Sequence, residues 1–180
     1  MSDLQTEVDR RGIVSDSALE TFARFGYRKT SMDEVARAAR ISRPGLYFLF
    51  DSKEALFRAA VARALERDLA AVEAALADPD KSLQDRLLNA FDHWAGRYVG
   101  PGGRDIQAVI DDNPSLLGPV TETAPQRFEQ LVTEALRAEV AAPADVAQTL
   151  ISTSIGLKYQ VDARPEYLAR LTVALTVILP

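Results

Sequence analysis

The chain has 180 residues, no cysteine and one histidine, and its formal net charge is −5. The lack of cysteine excludes disulfides and thiolate metal sites, and a lone histidine argues against a His-rich metal site or a Ser-His-Asp triad. The N-terminal residues lack the pattern of a signal peptide, and no apolar run is long enough to span a bilayer. We therefore expect a soluble, cytoplasmic protein without a metal or cofactor.

Positive charge is concentrated towards the N-terminus. Residues 1–67 hold 12 Lys/Arg and 10 Asp/Glu, whereas residues 68–180 hold 9 and 16. Between residues 24 and 53 there are seven basic side chains and three acidic ones. Because only this end of the chain attracts phosphate, it would orient the protein on a polyanion such as DNA.

The spacing of apolar residues predicts helices from the N-terminus onward and no strand of useful length. A first helix ends at Gly26, a residue suited to the C′ position, and Thr30 or Ser31 caps a second helix. Residues 40–42 form a turn, and a helix of two turns follows at about 43–48. The chain is therefore predicted to begin with three helices, the third of them short.

The remainder of the chain is also predicted to be helical, which makes the fold class all-α. A long helix is capped by Asp51 or Ser52 and stops at the Asp-Pro-Asp sequence of residues 78–80. Further helices are predicted at 82–99, about 104–112, about 125 (or somewhat earlier) to 140, 143–161 and 165–179. Residues 100–103, Gly-Pro-Gly-Gly, are predicted to be a loop.

Residues 30–56 have the organisation of a helix-turn-helix. The second helix of that motif carries Arg43, Gly45, Tyr47 and Phe48 in place of an ordinary surface. In a helix-turn-helix this element presents its side chains to the major groove of DNA. The segment therefore predicts DNA binding.

Residues 8–57 also resemble the DNA-binding domain of the TetR/AcrR family of bacterial repressors. The matching residues, in order and in register, are 22–27, 30–32, 35–36, 41–42, 46–47, 50 and 52–56. The resemblance implies a three-helix helix-turn-helix domain at 1–51, joined by a long helix to an effector-binding and dimerisation domain at 52–180. It also implies a ligand-responsive repressor that binds a palindromic DNA operator as a homodimer.

Three residues depart from the family pattern. Arg40 stands where glycine is common, so a non-glycine residue is expected there in a left-handed or near-helical conformation. Pro44 replaces a small or flexible residue. Phe48-Leu49 replaces a frequent polar or histidine pair, which either weakens a phosphate contact or substitutes an apolar contact with thymine methyl groups. Base preference is therefore left open.

Each predicted DNA contact has a structural alternative. Arg43 reaches guanine O6/N7 or a phosphate, or is a solvated surface arginine. Tyr47 donates its hydroxyl to a phosphate, or packs partly buried. Gly45 lets the helix approach the groove, or serves packing alone. The caps Thr30, Ser31 and Ser42 either direct backbone N–H groups at phosphate or act only as caps.

Lys53 opens the long helix, where the helix dipole disfavours a cation. A nearby phosphate would offset that cost, so Lys53 is predicted to contact the DNA backbone. The complete predicted set of DNA-contacting residues is Arg28, Lys29, Thr30, Ser31, Ser42, Arg43, Pro44, Gly45, Tyr47, Phe48 and Lys53.

The last predicted helix is apolar over most of its circumference. A helix that is hydrophobic all round is buried on all sides, which a terminal helix achieves most simply against a second subunit. The predicted homodimer interface consists of Val146, Leu150, Ile151, Ile155, Leu168, Leu171, Leu175 and Ile178.

The family resemblance further implies a small-molecule effector cavity between residues 82 and 140, lined by Phe91, His93, Trp94 and Tyr98. Ordinary core aromatics with a surface His93 are the alternative. Effector binding would lower DNA affinity through a coupling of about 1–3 kcal/mol.

Two other classes of function were weighed. A helical adaptor would use the basic end to bind an acidic protein, and its binding would be insensitive to salt, unlike binding to DNA. An enzyme would need a Gly-rich loop between a strand and a helix, a metal cluster or a nucleophile–base pair, none of which the sequence suggests. We therefore expect a regulator that is not an enzyme.

Overall fold

A computed structural model describes residues 2–179 of the chain and the side chains of residues 10–179. These residues form ten α-helices and no strand, which confirms the predicted all-α fold class. The helices are α1 (Ser2–Phe25), α2 (Met32–Ala38), α3 (Arg43–Leu49), α4 (Lys53–Leu76), α5 (Leu83–Trp94), α6 (Gly103–Asp111), α7 (Pro114–Leu117), α8 (Val120–Leu136), α9 (Pro143–Gln160) and α10 (Arg164–Ile178). None of them combines the length and apolarity needed to cross a membrane.

The chain packs into two compact units that divide α4. The head unit comprises residues 1–65 and 104–121, and the body unit comprises residues 66–103 and 122–180. The predicted functional boundary between residues 51 and 52 stays a prediction. The boundary between the packed units lies instead between residues 65 and 66, within α4. The first turns of α4 fill the core of the head unit, and α7 packs there as well.

Aromatic rings hold the head unit together. The ring centroids of Phe22, Tyr27 and Phe57 lie 4.9–5.5 Å apart, and Phe22 and Phe57 are fully buried. Leu46 and Leu49 of α3 are buried in the same core. Their burial anchors one face of α3 and thereby fixes which of its side chains point outward.

A second cluster forms the core of the body unit. Phe128 packs edge-on against Phe91 at 5.1 Å and stacks on Trp94 at 4.8 Å. The buried hydroxyls of Ser154 and Tyr167 share a hydrogen bond of 2.7 Å between α9 and α10. Burial raises the pKa of Tyr167 to about 12, so its hydroxyl stays protonated at neutral pH.

Most predicted helix bounds agree with the structure to within a few residues, and three differ. The predicted helix 82–99 ends at Trp94 and continues, after Ala95, as a 3-10 turn at Gly96–Tyr98. α7 was not predicted. α8 begins at Val120, so Pro125 lies inside it rather than at its start.

Candidate nucleic-acid interface

The connection from α1 to α2 is built on Gly26. This residue has φ +81°, and its N–H donates to the carbonyl of Phe22 at 2.8 Å, as predicted for a C′ glycine. Thr30 is buried, and its hydroxyl donates to the Gly26 carbonyl at 2.9 Å. The hydroxyl and the backbone N–H of Thr30 are both used within this connection, and its contact with DNA stays a prediction.

Lys53 lies against the same connection. Its ammonium donates to the carbonyls of Tyr27 and Thr30, each at 3.1 Å, and lies 4.5 Å from the centre of the Tyr27 ring. These acceptors offset the helix-dipole cost that sequence reasoning assigned to a phosphate. The contact of Lys53 with DNA stays a prediction.

Ser31 caps α2 through a reciprocal pair of hydrogen bonds. The Ser31 hydroxyl oxygen accepts from the N–H of Glu34 at 3.3 Å, and the Ser31 N–H donates to the Glu34 carboxylate at 2.6 Å. The Ser31 backbone and side-chain hydrogen bonds lower the pKa of Glu34. The start of α2 is thus fixed by its own residues.

The turn between α2 and α3 depends on an arginine in a left-handed conformation. Arg40 has φ +55°, which confirms the conformation predicted from its departure from glycine. Ile41 is half-buried, and its N–H donates to the Ala36 carbonyl at 3.0 Å. Ser42 then caps α3, accepting at 3.1 Å from the N–H of Gly45. The turn therefore sets the direction in which α3 leaves α2.

The outer face of α3 carries four of the predicted contact residues. Arg43, Pro44, Tyr47 and Phe48 are exposed, whereas Gly45 is half-buried. A Cβ on Gly45 would lie 3.0 Å from the Ser42 hydroxyl, so the glycine also leaves room for the cap. The structure thus places Ser42 and these four side chains together on one exposed surface.

Arg43 is held by an acidic neighbour on α2. Its Nε and NH1 atoms lie 3.1 and 3.3 Å from the two carboxylate oxygens of Asp33. The arginine and aspartate side chains are 63% and 52% exposed, and the guanidinium lies 5.7 Å from the centre of the Tyr47 ring. An exposed pair of this kind is weak, so Arg43 remains available to a stronger acceptor.

Arg11 of α1 contacts the end of α3, which the sequence analysis did not predict. One of its guanidinium nitrogens donates to the carbonyl of Leu49, the last residue of α3, and the guanidinium lies 4.3 Å from the centre of the Phe50 ring. A cation at this end complements the helix dipole and ties α3 to α1. Arg11 and Leu49 are 38 positions apart in the sequence, so no local sequence pattern predicts this contact.

Arg28 and Lys29 are exposed in the turn before α2, where DNA contact was predicted. Both line a surface depression of the head unit, and Asp105 of α6 and Asp112, just after α6, line it too. Carboxylates in that depression would compete with phosphate for these two cations. Their contact with DNA stays a prediction.

The predicted effector residues are mostly packed within the body unit. Phe91 is fully buried, Trp94 is half-buried on Phe128, and His93 is exposed. The hydroxyl of Tyr98 donates to buried Asp68, which also receives Arg97. Burial raises the pKa of the Asp68 carboxyl. The arrangement matches the alternative of core aromatics with a surface histidine, and effector binding by these residues stays untested.

The predicted dimer residues divide into two groups. Leu150, Leu171 and Leu175 are fully buried within their own chain, so the inference that they need a second subunit is wrong. Ile155 is exposed, whereas Val146, Ile151, Leu168 and Ile178 are partly buried against the body core. Exposed apolar side chains that the prediction missed are Tyr159 on α9 and Val173 and Val177 on α10.

The family model described as "Bacterial regulatory proteins, tetR family" matches residues 15–60. The match includes all of α2 and α3, both connecting turns and the start of α4. Over this span the chain matches the TetR family. The helix-turn-helix residues named above are thus those of a TetR-family DNA-binding domain.

Curated relatives agree with this match. "HTH-type transcriptional repressor ComR" of Escherichia coli is 36% identical over 81 residues, which are 45% of this chain and 39% of ComR. The chain spans only 26–39% of the first curated relatives it matches.

Solved structures extend the likeness in fold to nearly the whole chain. Reduced NemR of E. coli superposes with a TM-score of 0.76 at 17% identity, covering 95% of this chain and 97% of NemR. PfmR of Thermus thermophilus superposes with a TM-score of 0.65 at 20% identity, covering 92% and 96%. At these identities the likeness establishes the TetR fold alone.

Proposed function

We propose that this TetR-family chain is a transcriptional regulator that binds double-stranded DNA through α3. The regulator acts as a homodimer on a palindromic operator, responds to a small-molecule effector and works in the cytoplasm, where its DNA lies. ComR is named a repressor, and we propose the same sign of regulation for this chain.

The exposed face of α3 carries this proposal. One side of the helix, Leu46 and Leu49, is buried in the head unit, and the other side presents Arg43, Tyr47 and Phe48. Ser31 and Ser42 cap the starts of α2 and α3, and Arg11 contacts the last residue of α3. These contacts hold α3 in place on the head unit. Rigid presentation of a short helix with an arginine near its N-terminal end suits insertion into the major groove.

Selection of bound sequences from a random duplex pool tests DNA binding directly. The purified protein should enrich one motif with two inverted half-sites, since a two-fold dimer presents two copies of α3. Affinity for the enriched duplex should fall steeply as salt concentration rises, because phosphate contacts release counterions. Recovery of no motif, or salt-insensitive binding to an acidic protein instead, would contradict the proposal.

The exposed apolar side chains of α9 and α10 support the homodimer. Val177 is 78% exposed, and Ile155, Tyr159 and Val173 are exposed as well. Val177→Arg should therefore yield monomers in multi-angle light scattering, whereas Ile13→Arg, at an exposed apolar position of the head unit, should leave the dimer intact. A dimer that survives Val177→Arg would rule out this face.

Effector binding is the part of the proposal that rests most on the family. The body unit would hold the ligand, with His93 and Trp94 the members of the predicted set that are not fully buried. A compound library screened by thermal shift, followed by release of the selected operator, tests it. An effector should both raise the midpoint of unfolding and weaken DNA binding, since ligand binding and DNA release are linked.

A further inference from the structure

The outer face of α3 is unusually poor in polar atoms. Its sequence is RPGLYFL, in which only Arg43 and Tyr47 have polar side chains. Arg43 is paired with Asp33, and the hydroxyl oxygen of Ser42, just before the helix, accepts the Gly45 N–H. The face therefore has few groups able to form hydrogen bonds with base edges.

Phe48 is the dominant feature of this face. Its side chain is 79% exposed, the largest fraction among the large apolar side chains that the structure describes, whereas Tyr47 beside it is 41% exposed. Pro44 and Phe48 are four positions apart and share one side of the helix, so they form an apolar stripe beside the Arg43–Tyr47 pair. Both residues of this stripe are exposed.

The major groove offers one apolar group on the base edges, the C5-methyl group of thymine. Resting on the function proposed above, we infer that Phe48 sets operator specificity by packing against a thymine methyl group in each half-site. Arg43 supplies the adjacent polar contact, and Pro44 extends the apolar surface. The operator half-site therefore contains a thymine whose methyl group, rather than its hydrogen-bonding atoms, is recognised.

Replacement of single thymines by deoxyuridine isolates this contact, because it removes the methyl group and keeps base pairing and O4. Fluorescence anisotropy with the selected operator would compare wild type, Phe48→Ala and Phe48→Leu on each deoxyuridine duplex. At one position in each half-site, deoxyuridine should weaken binding by wild type about fourfold, which corresponds to about 0.8 kcal/mol for one buried methyl-sized group.

The test is whether the effect of deoxyuridine on binding requires the Phe48 side chain. The deoxyuridine effect should disappear in Phe48→Ala and persist in part in Phe48→Leu, which keeps an apolar side chain. Phe25→Ala is the matched control, since Phe25 is an exposed phenylalanine of the head unit outside α3, and it should retain the full effect. Phe48→Ala should keep the wild-type midpoint of thermal unfolding, because so little of the ring is buried.

The outcomes separate this inference from the function on which it rests. Specific binding in which deoxyuridine has the same effect on wild type and Phe48→Ala overturns the inference and leaves the DNA-binding function standing. Unchanged operator affinity in Phe48→Ala overturns it as well. If no duplex is bound specifically, the proposed function itself fails.

Discussion

Lys53→Met should destabilise the head unit. The substitution keeps the aliphatic stem but removes the ammonium group that donates to the Tyr27 and Thr30 carbonyls and lies over the Tyr27 ring. Hydrogen bonds to charged groups contribute about 1.5–3 kcal/mol each, and the half-buried site places this pair near the lower limit. We expect the free energy of unfolding to fall by about 2–3 kcal/mol.

Urea unfolding followed by circular dichroism measures this loss, with Lys29→Met as the matched control. Lys29 is an exposed lysine of the adjoining turn, so its replacement should change the free energy of unfolding by less than about 0.5 kcal/mol. The salt dependence of DNA binding supplies a second readout. Equal stability of the two variants, with a smaller salt slope only for Lys53→Met, would refute the structural role and restore the phosphate contact.

Two further predictions concern acidic side chains. Asp33→Asn releases Arg43 from an exposed ion pair that contributes at most about 1 kcal/mol. DNA affinity in anisotropy titrations should therefore rise by up to about fivefold. Weaker binding would show instead that Asp33 positions Arg43. Burial raises the pKa of Asp68 above its value in the unfolded chain, so the stability due to its protonation is present at low pH and lost as pH rises through the folded-state pKa. Urea unfolding at pH 4 and pH 7 measures the free energy of unfolding of wild type and of Asp68→Asn. The wild-type value minus the variant value should be more positive at pH 4 than at pH 7. An equal difference at both pH values would contradict this.

Local features made the DNA-binding elements predictable. Gly26, Ser31, Ser42 and Ser52 act within four residues of their own positions, so their turns and caps are encoded where they stand. The left-handed conformation of Arg40 was predictable because glycine is common at this position in the family pattern. Leu46 and Leu49 are three positions apart on one face of α3, and their burial in the structure turns the opposite face outward.

Contacts between distant residues account for what the sequence missed. The roles of Lys53 and Arg11 depend on partners 23 to 38 positions away, which no local pattern specifies.

The same limit applies to the dimer face. Helix α10 is apolar on both sides, and periodicity alone cannot distinguish the side that Leu171 buries within the chain from the side that Val177 leaves exposed.

DNA binding by Arg43→Ala is the most direct test of the claim that α3 recognises DNA. Anisotropy titrations of wild type and variant on the selected operator, and on a duplex of scrambled sequence, give both affinity and specificity. We expect the variant to lose about 1–3 kcal/mol of binding free energy on the operator and to discriminate less strongly against the scrambled duplex. Unchanged affinity and discrimination would contradict the assignment of α3 as the recognition helix.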